Sequence, residues 1–156
     1  MLSEEVFWKY ALEFYGRAGV TNSCLKLQDD LGLNVNLLLL LCWCEQHQKQ
    51  LDGEQIDLLV LSLAHWHRDY TKPLRAIRRK LALDDNATEA VKRAIFDAEM
   101  ALEKTEQRLL LGIFNQFKLA DADTALNLQR YISRDDKAAV IRFAGVIDQL
   151  RGSFTV

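Results

Sequence analysis

The stretch Val35–Cys44, VNLLLLLCWC, is apolar on every side of a helix except at Asn36, and it restricts the fold more than any other feature of the chain. A helix lying on a protein surface keeps one polar face, so a segment apolar all round has to be enclosed by neighbours. Its apolar run, Leu37 to Cys44, falls far short of the ~20 residues that span a bilayer. The enclosure must come from the rest of the chain. We read this segment as the central helix, Val35 to about Gln48, capped by Asn34, with Glu45–Gln50 emerging into solvent.

The remaining sequence supplies helices to surround it. One proline and seven glycines in 156 residues leave few points of interruption, and no segment alternates as a half-buried strand does. Ser3 can cap a helix to about Tyr15 with Phe7, Tyr10/Ala11 and Phe14 on one stripe, ended by Gly16 or Gly19. Thr21, Asn22 or Ser23 can cap a second, stopped by Gly32. Asp52 and Gln55 have capping-box spacing and open a helix with Ile56, Leu59/Val60, Leu63, Trp66/His67 and Tyr70 on one face. Pro73 either sits in the first turn of a further helix capped by Thr71 or kinks a continuous one. Leu74, Ile77 and Leu81 are the expected buried side of that segment.

A long helix is expected from about Ala87 to Lys118, with Val91, Ile95, Ala98, Leu102, Leu109, Ile113 and Phe117 at helical spacing. Two more run from Asp123 to about Ile132 and, capped by Ser133, to about Arg151. The fold class is therefore all-α: a single domain, residues 1–156, of seven or eight helices around the buried one at about 35–48. Asp84-Asp85-Asn86 is the clearest break and places a candidate hinge at 83–87, between 1–82 and 87–151.

Hydrophobic residues at 49% and charged residues at 27% are ordinary for a globular chain. A net charge of −2 excludes wholesale coating of a nucleic acid, so any anion binding must be local. The acidic start, Met1-Leu2-Ser3-Glu4-Glu5, is unlike a secretory leader, and a cytoplasmic protein without membrane association is expected. Cys24, Cys42 and Cys44 are odd in number. Cys42 and Cys44, two apart on a helix, point to opposite sides and cannot hold one metal, so free thiols fit best.

Charge is distributed unevenly. Residues 61–80 hold six Lys/Arg against one acid, a local +5, while residues 1–60 carry −5 and residues 81–156 carry −2. On a regular helix Arg68, Lys72, Arg75 and Arg79 fall four, three and four apart, along one face over roughly 16 Å, with Arg78 beside them. This row is the candidate site for a partner or anion. It can meet an acidic protein surface or three to four phosphates of a nucleic acid, or it is simply the wet face of its helix, paired internally with acidic residues.

Other constellations carry less. His65 and Asp69, four apart, can orient an imidazole as a catalytic base requires, but no nucleophile can be placed beside them. His67 faces about 200° away from His65 on a helix, and no metal-ligand spacing occurs. The acidic pairs Asp29-Asp30, Asp84-Asp85 and Asp135-Asp136 sit at helix ends, where capping explains them. Asn36, one turn before the apolar stretch, is a structural polar residue whose buried amide needs a partner, a neighbouring backbone group or a side chain such as Gln28. Trp8 lies off the Phe7/Phe14 stripe and can anchor a partner. No phosphate loop, nucleotide fingerprint or nucleophile elbow is present, and no catalytic residue, cofactor or metal is expected.

Phe7-Trp8 with Tyr15, Gly19-Val20, Cys24-Leu25-Lys26-Leu27-Gln28-Asp29, Val35-Asn36-Leu37-Leu38-Leu39, Trp43, Trp66-His67-Arg68 and Lys72-Pro73-Leu74-Arg75-Ala76-Ile77-Arg78-Arg79 together carry a likeness. In this order and spacing they resemble a family of uncharacterised proteobacterial proteins of about this size, over roughly residues 6–80; beyond Leu81 the agreement stops. The resemblance implies a cytoplasmic bacterial protein and supplies no reaction or ligand. The expected function is a non-enzymatic interaction or adaptor protein that binds an acidic protein surface through the basic face. The alternatives are a nucleic-acid or ribosome-associated factor using the same face, and an enzyme built on His65 and Asp69.

Overall fold

Helix α1 (Glu4–Tyr15) starts where the Ser3 hydroxyl accepts the Val6 N–H at 3.2 Å, and it buries Phe7, Ala11 and Phe14. A computed structural model describes residues 1–155, and among them the chain is all-helical apart from one pair of two-residue strands. Helix α2 (Val20–Leu31) begins at Gly19, ahead of the Thr21–Ser23 caps expected for it. Gly19 has φ +83°, a backbone conformation that residues with a Cβ rarely adopt, so the turn demands glycine; a Cβ there would meet only the movable end of the Gln149 side chain. Gly32, at φ +68°, ends the helix by donating to the Gln28 and Leu27 carbonyls.

Helix α3 (Val35–Gln46) is the enclosed element: Asn36 through Cys42, and Cys44, are all buried. Asn34 caps it, accepting the Leu37 N–H at 3.0 Å. Two features differ from the expectation. The helix stops before Gln48, which takes φ +54°, and Lys49–Gln50 (β1) pairs antiparallel with Ala120–Asp121 (β2). Glu45 does not emerge into solvent either. Its carboxylate accepts two hydrogen bonds from Arg151, at 2.8 and 3.0 Å, and one from the Leu128 N–H at 2.9 Å.

Helix α4 (Gly53–Trp66) opens on the full capping box of Asp52 and Gln55. It runs without a break through a π turn, His67–Thr71, into α5 (Lys72–Leu81). The Lys72 N–H donates to the His67 carbonyl, five residues back. Thr71 is itself helical and its hydroxyl does not cap, so Pro73 sits inside one continuous helix. The wide turn lies where the proline ring would press on the carbonyl four residues earlier. Its extra residue also advances everything after it by about 100° around the axis.

That rotation overturns the expected orientation of α5. Leu74 and Leu81, expected inside, are half-buried, but Ile77, expected there with them, is 44% exposed, and the helix fully buries no residue. Helix α6 (Glu89–Phe114), capped by Thr88, is turned as well. Val91 and Ala98 of its expected stripe are exposed, while Glu99, Glu106 and Gln107 are buried ahead of Leu110, Leu111 and Phe114. Residues 83–87 form the turn between α5 and α6.

The C-terminal part is shorter-jointed than the periodicity indicated. Helix α7 spans Asn127–Ile132 only, because the Asn127 amide holds the Leu51 N–H and the Lys49 carbonyl, each at 2.8 Å. Ser133 ends α7 instead of capping the next helix, and Asp136 accepts the Ala138 N–H at 3.0 Å. Helices α8 (Ala139–Arg142) and α9 (Ala144–Gly152) are one element interrupted at Phe143, which makes eight helices among the described residues, or seven with α4 and α5 counted as the one continuous helix they form. One apolar cluster draws on every helix but α5. No helix among the described residues is long and apolar enough to cross a membrane.

Candidate ligand cavity

Glu106 organises the polar interior. It is 1% exposed, on α6. Its Oε2 accepts from the Asn36 amide at 2.8 Å and the Asn34 amide at 3.1 Å, and its Oε1 lies 2.7 Å from His67 Nδ1. Burial pushes its carboxyl up, but the hydrogen bonds from His67, Asn36 and Asn34 outweigh that and hold it below the usual carboxylate range. An ionised Glu106 can only accept, so Asn36 turns its NH2 toward it and its oxygen toward Gln107 Nε2, 3.1 Å away. The chain of orientations ends at Gln107 Oε1, which is buried and has no hydrogen-bond partner among the described residues.

Asn36 is thus interior, with Glu106 and Gln107 as its partners. Gln28, the partner expected from the sequence, turns instead to Asp29 at 3.4 Å. Asn36 and its partners lie 70 and 71 residues apart in sequence, with no periodicity to announce the contact.

One helical turn along α6, the arginines of α5 arrive. Arg78 Nε donates to Glu99 Oε2. Arg75, with its side chain only 14% exposed, lies 3.7 Å from Glu99 and 3.8 Å from Glu103. Neither approach is a hydrogen bond, and among the described residues the Arg75 guanidinium makes none. Glu103 accepts none either. Burial raises its carboxyl from the ordinary 4.5 to about 7, with Glu99 and Glu106 adding to the rise and Arg75 and Arg78 opposing it.

Between α1, α2, α3, α5 and α6 lies a cavity of 330 Å³. Trp8, Leu12 and Tyr15 of α1, Leu25 of α2 and Leu39 of α3 make one wall apolar and aromatic. The opposite wall carries Arg75, Arg78, Glu99, Glu103 and Gln107. Trp8 is half-buried in this wall, with Lys104 Nζ 4.7 Å from its ring centre. It and Gln107 also border a second recess of 200 Å³ beside Glu4 and Glu5. The size and the mixture of an apolar wall with a few convergent polar groups are those of a small-molecule site.

The residues singled out from sequence are divided by this geometry. Arg68 is exposed and pairs with its neighbour Asp69 at 2.8 Å, which holds the Asp69 carboxyl below its usual range. Lys72 is exposed. Arg75 and Arg78 turn inward to the α6 carboxylates, and Arg79, at the cavity, lies 3.6 Å from Asp29. The row does not run as one outward face, because the π turn separates the phases of Arg68 and Arg75 and the acidic face of α6 draws the later arginines in. His65 and Asp69 do pair, at 2.7 Å, but His65 is 71% exposed and neither residue lines the cavity. The three cysteines are buried and free. Burial pushes the Cys24 thiol up to about 12 and those of Cys42 and Cys44 further, which removes them as nucleophiles near neutral pH.

Glu99, Glu103, Glu106 and Gln107 escaped the sequence reading. Their signal was present in hindsight: four long polar side chains at i, i+4, i+7 and i+8 form one helix face whose charge is opposite to that of α5.

A family model described as "Protein of unknown function (DUF2390)" matches residues 6–110. The chain belongs to that family. The match runs past Leu81, where the recognisable agreement had ended, and takes in α6 to Leu110. Every residue lining the cavity, from Trp8 to Gln107, falls inside it, and α7 to α9 fall outside. No curated protein and no solved structure matches the chain.

Proposed function

We propose that this DUF2390 member is a small-molecule-binding protein whose ligand occupies the cavity between α1, α2, α3, α5 and α6. The observation that carries the reading is the polar wall. Arg75 and Glu103 border the space, face each other at 3.8 Å and make no side-chain hydrogen bond among the described residues, so both keep bonding capacity for a polar ligand. The location of the whole lining within the family segment supports it too.

The test is a thermal-shift screen of small organic molecules against the wild type and against Leu12→Trp and Leu25→Trp, which place an indole in the cavity from its exposed and half-buried rims. Compounds that stabilise the wild type and neither filled variant are expected. A screen in which every stabilising compound acts equally on all three proteins overturns the reading.

A second reading keeps a polyanionic or acidic protein partner on what remains solvated of the basic segment. It is favoured by Lys72 and Lys80, which are exposed and have no carboxylate within 4.0 Å among the described residues. Earlier elution of Lys72→Glu/Lys80→Glu from an immobilised polyanion at raised salt supports it; unchanged elution counts against it.

A further inference from the structure

We infer that the cavity takes a zwitterionic α-amino acid with a large apolar side chain, its carboxylate on Arg75, its ammonium on Glu103, and its side chain against the aromatic and aliphatic wall; this rests on the cavity being the ligand site. Arg75 and Glu103 carry opposite charges and stand 3.8 Å apart, close enough to attract and too far to hydrogen-bond. Each therefore keeps its bonding directions open. A ligand presenting an anion and a cation on one carbon satisfies both at once and adds no net charge to a low-dielectric space. A ligand with only one of the charges would leave one member of the pair unsatisfied and would import an uncompensated charge.

Two further observations favour this class. Gln107, which also lines the cavity, lies one helical turn beyond Glu103, and its Oε1 is an acceptor without a donor among the described residues. Arg78 already pairs with Glu99, so Glu103, approached only by Arg75 at 3.8 Å, is the carboxylate lacking a full counter-charge. The rings of Trp8 and Tyr15 and the side chains of Leu25, Leu39 and Met100 give the cavity an apolar surface for the ligand's side chain. That selects against small or charged side chains. A guanidinium matches a carboxylate in a two-bond fork, which explains arginine in preference to lysine at position 75.

Binding of the ammonium requires Glu103 ionised. The charged and titratable groups around Glu103 are Arg75 and Arg78 from α5, with Arg79 of the same helix also at the cavity, Tyr15 from α1, and Glu99 and Glu106 on its own helix; those that α2 and α3 offer to the cavity are uncharged, Gln28 and Asn36. Glu103 is therefore the group that titrates near neutrality, and affinity rises with pH through about 7 as its proton leaves.

The experiment is calorimetric titration of the full chain at pH 8 with L-phenylalanine, L-leucine, phenethylamine and 3-phenylpropionate. The two amino acids are expected to bind. Phenethylamine, which lacks the carboxylate, and 3-phenylpropionate, which lacks the ammonium, are expected to bind at least ten-fold more weakly. Glu103→Gln should weaken L-phenylalanine at least ten-fold while its thermal midpoint at pH 8 does not fall. The inference is overturned if neither amino acid binds, or if either single-charge analogue matches L-phenylalanine. In both cases a hit from the thermal-shift screen that the filled variants abolish leaves the cavity standing as a ligand site of another class.

Discussion

Glu103 and Glu106, three residues apart on α6, are pushed in opposite directions by their surroundings. Glu106 receives three hydrogen-bond donors; Glu103 receives none. For Glu103 the folded value, about 7, lies above the unfolded one, near 4.5. Between those values the native state holds a proton that the unfolded chain has released. Its contribution is thus fully present below about pH 4.5 and lost as pH rises through about 7. Removing the charge at this position should stabilise the protein only where the carboxylate is ionised. Glu103→Gln is expected to raise stability in urea by about 2–3 kcal/mol at pH 8 and to change it little at pH 4. A gain of the same size at both pH values would show that the charge is not responsible. Glu106 behaves in the reverse sense, its depressed value giving stability above the usual carboxylate range that is lost in acid.

At the scale of the element, the π turn decides which side of α5 meets the protein. A regular helix would continue the Arg68–Lys72 phase and leave the arginines in solvent with Ile77 inside. The extra residue turns Arg75 and Arg78 onto the α6 carboxylates and Ile77 outward. The paired substitutions have opposite expectations under the two orientations. Ile77→Lys should change stability by less than about 0.5 kcal/mol, as an exposed substitution does. Arg75→Ala should cost about 2 kcal/mol, since it leaves Glu99 and Glu103 short of a counter-charge in a mostly buried site. Urea denaturation of both variants checks this; a larger loss for Ile77→Lys than for Arg75→Ala would mean the helix is turned the other way.

The molecule as a whole is closed by its C-terminal helices, although the family match ends at residue 110. Leu128 and Ile132 of α7 and Ile147 and Leu150 of α9 are members of the same apolar cluster as α3. Arg151 holds Glu45, and Arg17 donates to the Ser153 carbonyl at 2.6 Å. Each buried side chain of this kind contributes about 2 kcal/mol against a total stability of ~5–15 kcal/mol. A chain ended after Leu119 should therefore keep helical far-ultraviolet dichroism but lose the cooperative urea transition and bind 8-anilinonaphthalene-1-sulfonate. A cooperative transition in the shortened chain would show that the matched segment stands by itself.

What could be read from the residues alone was whatever admits a single environment. Val35–Cys44 is apolar all round, so burial was its only outcome, and the all-helical shell followed from the caps at Ser3, Asn34 and Asp52. Amphipathic helices with charge on one flank and leucines on the other admit two outcomes. For α5 and α6 the choice depended on partners far along the chain: Glu99 needs Arg75 and Arg78, and Glu106 needs Asn34, Asn36 and His67. A charged face can be buried only when complementary groups arrive from elsewhere to neutralise it, and that arrival is a property of the assembled fold. The cavity and its unsatisfied wall exist only as a consequence of that choice, which is why periodicity pointed to the outer surface of α5 and the tertiary structure to its inner one.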